Sequence, residues 1–267
     1  MTKKVWRFVD TDVSNGYLNM AIDETILNTH RQGSILPTLR VYRWSHPTVS
    51  IGHFQGIEDI DLKKCSNLGI DVVRRLTGGK AVLHHDELTY SVTVSESYGF
   101  SNSITESYRI LCMGLIAAYQ ILGMKVCLTH RSKSFFPAAC FAATSSADLT
   151  YKGHKIAGSA QVRRGNTLLQ QGSLPINLNP KILLSILKAS ASMQDKALSK
   201  FGQKVTDIGE SLGRHISWQD LRGALFKGFQ EALNIKFWEC NLTEEEVSQS
   251  QELARKKYSN IAWNHSR

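Results

Sequence analysis

Two short segments of the sequence combine residue types that could do chemistry, and the first spans residues 74–85 (RRLTGGKAVLHH). The double glycine Gly78-Gly79 lets the backbone approach a ligand closely and leaves its N–H groups accessible, and Arg75 and Lys80 bring positive charge beside it. Such a loop could bind a carboxylate, a phosphate or a thioester carbonyl. It lacks the GxxxxGK[ST] spacing of a P-loop. Its composition is equally typical of a glycine turn between two strands with surface arginines.

The second segment pairs a candidate nucleophile with a candidate cation. Cys140 follows Pro137 among small residues, in a predicted loop where its sulfur can be reached, and Lys155 comes fifteen residues later. A nearby ammonium or imidazolium group lowers the pKa of a cysteine and raises its thiolate fraction, so Lys155 could activate Cys140. Free cysteines are also commonly buried as small apolar residues, and the residue types alone favour that interpretation.

The histidine pair does not predict a metal site. His84, His85 and Asp86 are possible ligands, but no further His, Asp or Glu follows at helical spacing to complete a set, and the HExxH pattern is missing. We therefore expect neither a metal nor another cofactor.

The composition is that of a globular protein with a sizeable core. The chain has 267 residues, of which 42% are apolar and 21% charged, which excludes a disordered protein or a coiled coil and allows one large or two modest domains. The first ten residues lack the apolar stretch of a signal peptide, and no segment approaches the roughly 18 apolar residues of a membrane span. The five cysteines contain no CxxC pair, which favours neither disulfides nor a thiolate zinc site. A soluble, cytoplasmic protein is expected.

The net charge of +9, from 32 Lys+Arg and 23 Asp+Glu, has two interpretations. It could mark a nucleic-acid or membrane surface, or an enzyme that meets acidic partners. The basic residues come singly or in pairs, without a run of five, a zinc-finger spacing or an RNA-recognition signature. We expect neither nucleic acid nor membrane as a partner.

Strands and helices alternate along the chain in the pattern of an α+β fold. Helices are predicted after Asn15, over residues 103–122 and over residues 181–190, and capping patterns at residues 217–220 and 243–246 predict two more. Short β-rich runs predict strands at residues 38–44, 48–52, 70–75 and 88–94, and hairpins turn at Lys152-Gly153 and at residues 164–166. The polar stretch 190–200 is the predicted linker. We expect a mixed or antiparallel β-sheet flanked by helices.

Two motifs in this order resemble those of the biotin/lipoate protein ligase family. Residues 74–94 are similar to its Arg-Arg, Gly-Gly and His loop before a strand, and residues 155–161 (KIAGSAQ) are similar to its lysine motif. The similarity extends from residues 6–8 to residues 258–264. It implies a class II synthetase-like catalytic domain over residues 1–190, with a helical C-terminal extension, residues 191–267, packed on the same domain.

The cysteine fifteen residues before the lysine resembles the branch of octanoyltransferases that use acyl carrier protein. This implies an octanoyl-enzyme on Cys140, with Lys155 positioning the carbonyl and assisting thiolate formation. Substrate-binding roles are implied for the residues of both motifs: Arg75, Gly78, Gly79, His84, Gly158, Ser159 and Ala160. The implied partners are octanoyl-acyl carrier protein as donor and a lipoyl domain or glycine-cleavage H protein as acceptor. An ATP-dependent lipoate–protein ligase and a lipoyl amidotransferase are the alternatives.

Overall fold

The computed structural model describes residues 3–129 and 148–266, and a six-stranded mixed sheet is its largest element. In spatial order the strands are β10 (Gly158–Arg164), β11 (Thr167–Asn177), β6 (Asp86–Ser95), β2 (Thr38–Trp44), β1 (Lys4–Ser14) and β12 (Ile235–Glu239). Strand β1 runs parallel to both β2 and β12, and the other pairs are antiparallel. The predicted α+β fold with a mixed sheet is confirmed. Strand β12, which the sequence did not predict, joins the C-terminal part of the chain to this sheet.

On strand β6, alternate side chains point to opposite faces of the main sheet, one apolar and one polar. Leu88, Tyr90, Val92 and Val94 point to one face and belong to the main hydrophobic core. The residues between them, such as Thr89, point to the opposite face, where they are buried as polar groups. One strand therefore supplies both an apolar core and a polar, enclosed surface.

Helices α3 (Ile104–Ile121) and α7 (Trp218–Leu233) cover the core face of the sheet. Ser217 and Asp220 form the predicted capping box of α7. At the start of α3, Ser103 accepts a hydrogen bond from the Glu106 amide, but the Glu106 carboxylate accepts from Ser101, so the predicted reciprocal box there is only half formed.

Helix α1 (Gly16–Arg31), capped by Asn15, covers the other face of the sheet. Its inner side is polar as well as apolar, since Asn19, Asp23 and Glu24 are all buried. Against α1 pack α8 (Glu244–Leu253), with its predicted capping box, and a π-helical turn (Ala254–Tyr258). Helix α9 (Ile261–Asn264) follows the turn and contacts it.

A second, three-stranded sheet has its own hydrophobic cluster. Its order is β4 (Asp71–Arg74), β3 (Thr48–Ile51), β5 (Val82–His84). Three helices contribute residues to this second hydrophobic cluster: α2 (Leu62–Asn67), α4 (Pro180–Ser185) and α5 (Ala191–Lys204).

Two predictions in this region were wrong. The helix predicted over residues 181–190 is α4, which ends at Ser185, and the predicted linker 190–200 is the body of helix α5. Ser190 caps α5, and Ala197 and Phe201, four residues apart on one face, are buried in the second cluster. The abundance of polar residues on the outer face of α5 hid this spacing in the sequence.

A third small sheet positions the lysine motif. It consists of β7 (Val126–Thr129), β8 (Asp148–Tyr151) and β9 (His154–Lys155). Lys152 and Gly153 both have positive φ, as a tight two-residue hairpin turn requires, so the predicted hairpin is confirmed. Strands β10 and β11 form the second predicted hairpin. Helix α6 (Ile208–Leu212) packs on β11. Among the described residues, no helix is both long and apolar enough to span a bilayer.

Candidate active site

A mostly apolar cavity lies where the main sheet meets the second sheet, with an empty volume of about 370 Å³, part of which is open to solvent. Five of the residues predicted to bind substrate line it: Arg75, His84, Gly158, Ser159 and Ala160. The other residues of the lining were not among the predicted site residues; they are Met20, Tyr42, Trp44, Ser50, Val82, Thr89, Gln171, Gly172 and Ser173. Residues of the Gly-Gly motif and of the lysine motif therefore meet in one cavity.

The lining depends on a close approach at Gly172 on β11. A Cβ atom at this position would lie 2.2 Å from the Tyr90 ring and 2.7 Å from Ser159 Oγ. Any side chain there would force these groups apart, so glycine allows β10, β11 and β6 to pack closely beneath the cavity.

Arg75 organises the Gly-Gly loop from inside the protein. Its guanidinium donates to the carbonyl oxygens of Gly78 at 2.7 Å and Lys80 at 2.9 Å, and to the Ser50 carbonyl at 2.8 Å. Gly78 and Gly79 are not part of the cavity lining and are connected to it through Arg75. The alternative of a turn with surface arginines is wrong, because Arg75 is buried.

The neighbouring Arg74 is also buried and holds the adjacent chain segments together. Its side chain donates to the carbonyl oxygens of Gly52, His53 and Gln55 and to that of Asn264. A Cβ atom on Gly52 would lie 1.9 Å from the Gly79 carbonyl oxygen, so the Gly52 segment and the Gly-Gly loop are in direct contact. The basic pair therefore fixes backbone on both sides of the loop.

His84 is held on both ring nitrogens. Nδ1 lies 2.7 Å from Glu87 Oε1, and Nε2 lies 2.7 Å from Ser50 Oγ. The ring stacks on Trp44 with 4.1 Å between ring centroids and 13° between planes. Burial alone would raise the pKa of Glu87, but the charge and hydrogen bond of His84, with hydrogen bonds from Ser173 and Thr89, bring it below its usual value. Glu87 is therefore an ionised acceptor at neutral pH.

A second buried polar group stands behind the cavity on helix α1. Asp23 accepts hydrogen bonds from Arg40 at 2.7 Å, Ser91 at 2.7 Å, Tyr42 at 3.0 Å and Gln171 at 2.7 Å. Burial and the Asp23 charge hold the pKa of Tyr42 well above its usual value, so its hydroxyl stays a donor. Buried charges require such full pairing, and the result is a rigid wall.

The Asp23 group is connected to the Gly-Gly loop by hydrogen bonds. The Gln171 side-chain oxygen accepts from Thr77 Oγ1 at 2.9 Å, and Thr77 Oγ1 accepts from Arg75 Nε at 3.2 Å. Displacement of the loop would thus disturb the cavity wall.

Lys155 is buried on β9, next to a carboxylate. Its Nζ lies 3.2 Å from Asp148 Oδ1, and both side chains are less than a tenth exposed. The backbone is fixed on two sides, because Lys155 pairs with Thr150 and its carbonyl accepts from the Thr206 amide at 2.9 Å. Cys140 lies outside the described residues, so its proximity to Lys155 stays a prediction.

The four described cysteines differ in their suitability as nucleophiles. Burial raises the pKa of Cys65 to about 11 and that of Cys112 to about 12, so both are thiols at neutral pH. Cys127 is exposed and Cys240 is partly buried, and neither lines the cavity.

Trp44, Glu87, Asp23 and Gln171 were not among the residues predicted to form the site. Each comes from a different element, and single carboxylates or aromatics within strands and helices carry no spacing signal. Glu87, three residues after His84, offered the one local hint. Within residues 3–129 and 148–266, no group of three or more His, Cys, Asp and Glu residues is arranged to hold a metal ion.

The chain is similar in sequence and in fold to proteins that attach lipoyl or octanoyl groups, as their names state. The sequence model of the family described as the lipoyl protein ligase A/B catalytic domain matches residues 15–230. The octanoyltransferase LipM of Geobacillus kaustophilus is 40% identical, covering 100% of both chains, and that of Moorella thermoacetica is 40% identical, covering 98% of each. A bipartite lipoate protein ligase from Thermoplasma acidophilum has a TM-score of 0.82 at 29% identity, over 99% of this chain and 96% of that one. Lipoate-protein ligase A bound with ATP has a TM-score of 0.81 at 28% identity, over 99% of each chain.

Proposed function

The chain belongs to the lipoyl protein ligase A/B catalytic domain family, as its two motifs predicted, and from this premise we propose that it is an acyltransferase of lipoate biosynthesis. It transfers an octanoyl group from acyl carrier protein to a lysine of a lipoyl domain or glycine-cleavage H protein. Cys140 carries the octanoyl group between the two steps.

The observation that carries this proposal is the similarity, over the whole chain, to proteins named octanoyltransferases. The geometry supports it, because the cavity is mostly apolar and joins the two motifs. An alkyl chain is stabilised in such a cavity by removal of its surface from water.

In the first step the Cys140 thiolate attacks the thioester carbonyl of the octanoyl donor. A tetrahedral intermediate forms, and backbone N–H groups near Gly78-Gly79 or around Cys140 stabilise its oxyanion. The intermediate collapses with release of the carrier thiolate, which takes up a proton from solvent, and the octanoyl group stays on Cys140 as a thioester. Lys155, buried beside Asp148, positions the carbonyl and favours the thiolate.

In the second step the neutral ε-amine of the acceptor lysine attacks the octanoyl-Cys140 thioester. The thiolate of Cys140 leaves, the amine nitrogen loses its extra proton to solvent, and a stable amide results. Because a thioester is replaced by an amide, the overall transfer is downhill and needs no ATP. The enzyme works in the cytoplasm, where its net charge of +9 favours encounter with acidic carrier proteins.

The decisive experiment measures the intact mass of the protein after incubation with octanoyl-acyl carrier protein. We expect one octanoyl adduct on the wild type and none on Cys140→Ala, since removal of the nucleophile abolishes the acyl-enzyme. Cys127→Ala, a change at an exposed cysteine, is the matched control and should be acylated like the wild type. Equal labelling of Cys140→Ala and wild type would refute the proposal.

The second candidate function is an ATP-dependent lipoate–protein ligase, and the structural likeness to lipoate protein ligases, one of them bound with ATP, favours it. A ligase would release pyrophosphate from lipoate and ATP, and its activity would survive Cys140→Ala. A lipoyl amidotransferase would also use the cysteine but would accept octanoyl from an acylated lipoyl domain. Offering the three donors separately, namely acyl carrier protein thioester, acylated lipoyl domain, and free acid with ATP, distinguishes these functions.

A further inference from the structure

His84 and Trp44 stack on each other in the cavity that joins the two motifs, here called the acyl cavity, and both rings are connected by hydrogen bonds to the carboxylate of Glu87. Both residues line the cavity. Glu87 does not: it lines a separate cavity together with Leu83, whose side chain alternates with those of Val82 and His84 along β5. Glu87 can therefore affect a bound acyl group only through other residues.

Glu87 is hydrogen-bonded directly to the His84 ring and, through Thr89, to the Trp44 ring. Its Oε1 atom accepts from His84 Nδ1 at 2.7 Å. The same oxygen accepts from Thr89 Oγ1, which in turn accepts from Trp44 Nε1 at 2.7 Å. The other oxygen, Oε2, accepts from Ser173 Oγ at 2.5 Å. One buried carboxylate thus fixes the relative position of His84 and Trp44.

These contacts also determine which ring nitrogen of His84 donates to Glu87. A carboxylate only accepts hydrogen bonds, so His84 Nδ1 must carry a proton. With Nδ1 bonded to Glu87 and Nε2 facing Ser50 Oγ, the ring has a polar partner at each edge and presents a flat face to Trp44. Charge-assisted hydrogen bonds of this kind give geometric precision as well as stability.

We propose that Glu87 is a positioning residue, which locks His84 and Trp44 into a flat stack that forms the wall for the octanoyl chain. The proposal rests on the proposed function for the identity of the ligand. Glu87 contributes to the affinity for the acyl group and takes no part in the bond changes.

The test compares Glu87→Gln with Glu246→Gln. Glu246 in helix α8 is an equally buried carboxylate, paired with Arg7 at 2.8 Å, and it does not line the acyl cavity. Titration with sodium octanoate should give about tenfold weaker binding to Glu87→Gln, because the charged acceptor of three hydroxyl or imidazole donors is lost. Glu246→Gln should bind octanoate within about twofold of the wild type, because changes at independent sites do not couple.

The second readout is the Nδ1 proton of His84 in the NMR spectrum of ¹⁵N-histidine-labelled protein, assigned by its absence in His84→Asn. We expect a protected downfield signal in the wild type and in Glu246→Gln, and a shifted or exchange-broadened signal in Glu87→Gln. If Glu87→Gln does not fold, Thr89→Val supplies the test. Thr89 itself lines the cavity, but valine has nearly the same shape and is more apolar, so the changed lining alone would not weaken octanoate binding. Loss of the link to Trp44 should weaken it while the His84 signal remains.

Octanoate binding by Glu87→Gln and Thr89→Val that equals the wild type would overturn the proposal, as would equal weakening in Glu246→Gln. Absence of octanoate binding by the wild type would overturn it as well. A wild type that binds octanoate but is not acylated by octanoyl-acyl carrier protein would instead contradict the proposed function and leave the role of Glu87 standing.

Discussion

At the scale of residues, several charged side chains are buried and hold neighbouring chain segments together by hydrogen bonds. Arg74, Arg75 and Arg40 are buried and donate to backbone carbonyls. Arg75 and Arg40 donate to side chains as well. A guanidinium can do this because it has five donors in a fixed plane and stays charged when buried. Part of the positive charge that the sequence suggested for a surface is therefore inside the protein.

Glu24 on α1 is a carboxylate whose loss should destabilise the fold in a pH-dependent way. It accepts from Arg164 at 2.9 Å, Lys257 at 2.6 Å and Tyr258 at 2.7 Å. Burial alone would raise the pKa of Glu24, but Lys257, Tyr258 and Arg164 bring it below the ordinary value of 4.5. Because the folded pKa is depressed, the stabilisation is complete above about pH 4.5 and is lost as the pH falls through the folded pKa.

We therefore expect Glu24→Gln to lower the melting temperature by about 5 °C at pH 7. The difference from the wild type should begin to shrink below about pH 4.5, where the carboxyl of the unfolded chain takes up a proton, and disappear once the folded carboxyl is protonated at still lower pH. Glu252→Gln, at an exposed carboxylate that pairs with Lys256, is the control and should change little at any pH. Thermal melts between pH 3 and 8 check this, and a difference independent of pH would contradict it.

At the scale of elements, close helix packing supports the sheet that carries the site. Helices α3 and α7 approach each other at two glycines. A Cβ atom on Gly228 would lie 2.4 Å from the Ala118 amide nitrogen, and one on Gly114 would lie 2.7 Å from the Phe229 ring. The first contact is with backbone, which cannot rotate away, so the distance between the helices depends on Gly228.

Gly228→Ala should destabilise the protein by about 1–3 kcal/mol, because the added methyl group overpacks the contact between the two helices. Gly223 lies in the same helix α7, and a Cβ atom there meets nothing within 4 Å. Gly223→Ala should stabilise the protein by about 0.5–1 kcal/mol through helix propensity. Urea unfolding of the two variants measures both effects, and a Gly228→Ala variant as stable as the wild type or more stable would show that packing at Gly228 is not limiting.

At the scale of the whole molecule, the C-terminal part of the chain contacts the N-terminal part repeatedly, and three of these contacts involve the sheets or the Gly-Gly loop. Strand β12 pairs with β1, Glu246 binds Arg7, and Asn264 binds Arg74. In the last contact, the Asn264 side-chain oxygen accepts from the Arg74 amide at 2.8 Å, while its amide group donates to the Tyr258 carbonyl at 2.7 Å. Residues near the end of the chain thus support the strand that leads into the Gly-Gly loop.

Asn264→Ala should therefore cost about 1–3 kcal/mol of stability, because it leaves a buried Arg74 amide without its acceptor. Since Arg74 also holds the segment in contact with Gly79, the same variant should form the octanoyl-enzyme more slowly than the wild type. His265→Ala, at the neighbouring exposed position, should match the wild type in both measurements. Unfolding curves and adduct formation over time check the two effects, and full activity in Asn264→Ala would show that the loop does not depend on this contact.

The sequence by itself determined the α+β class, the two hairpins, most helix starts and the two family motifs, because turn glycines, capping residues and alternation are local signals. The sequence did not predict helix α5, because its two buried residues, Ala197 and Phe201, lie among polar residues. It did not predict strand β12 either, because the partner strand β1 is far away in the chain.

Only the tertiary structure decided that Arg74 and Arg75 point inward, that Trp44 stacks on His84, and that Glu87 and Asp23 are the acceptors behind the cavity. These groups come from separate strands and helices, and their hydrogen bonds exist only after the chain has folded. The physical reason is that burial sets the role of a polar side chain: a carboxylate or guanidinium taken out of water must find partners, and which partners lie within reach is a property of the packed sheets.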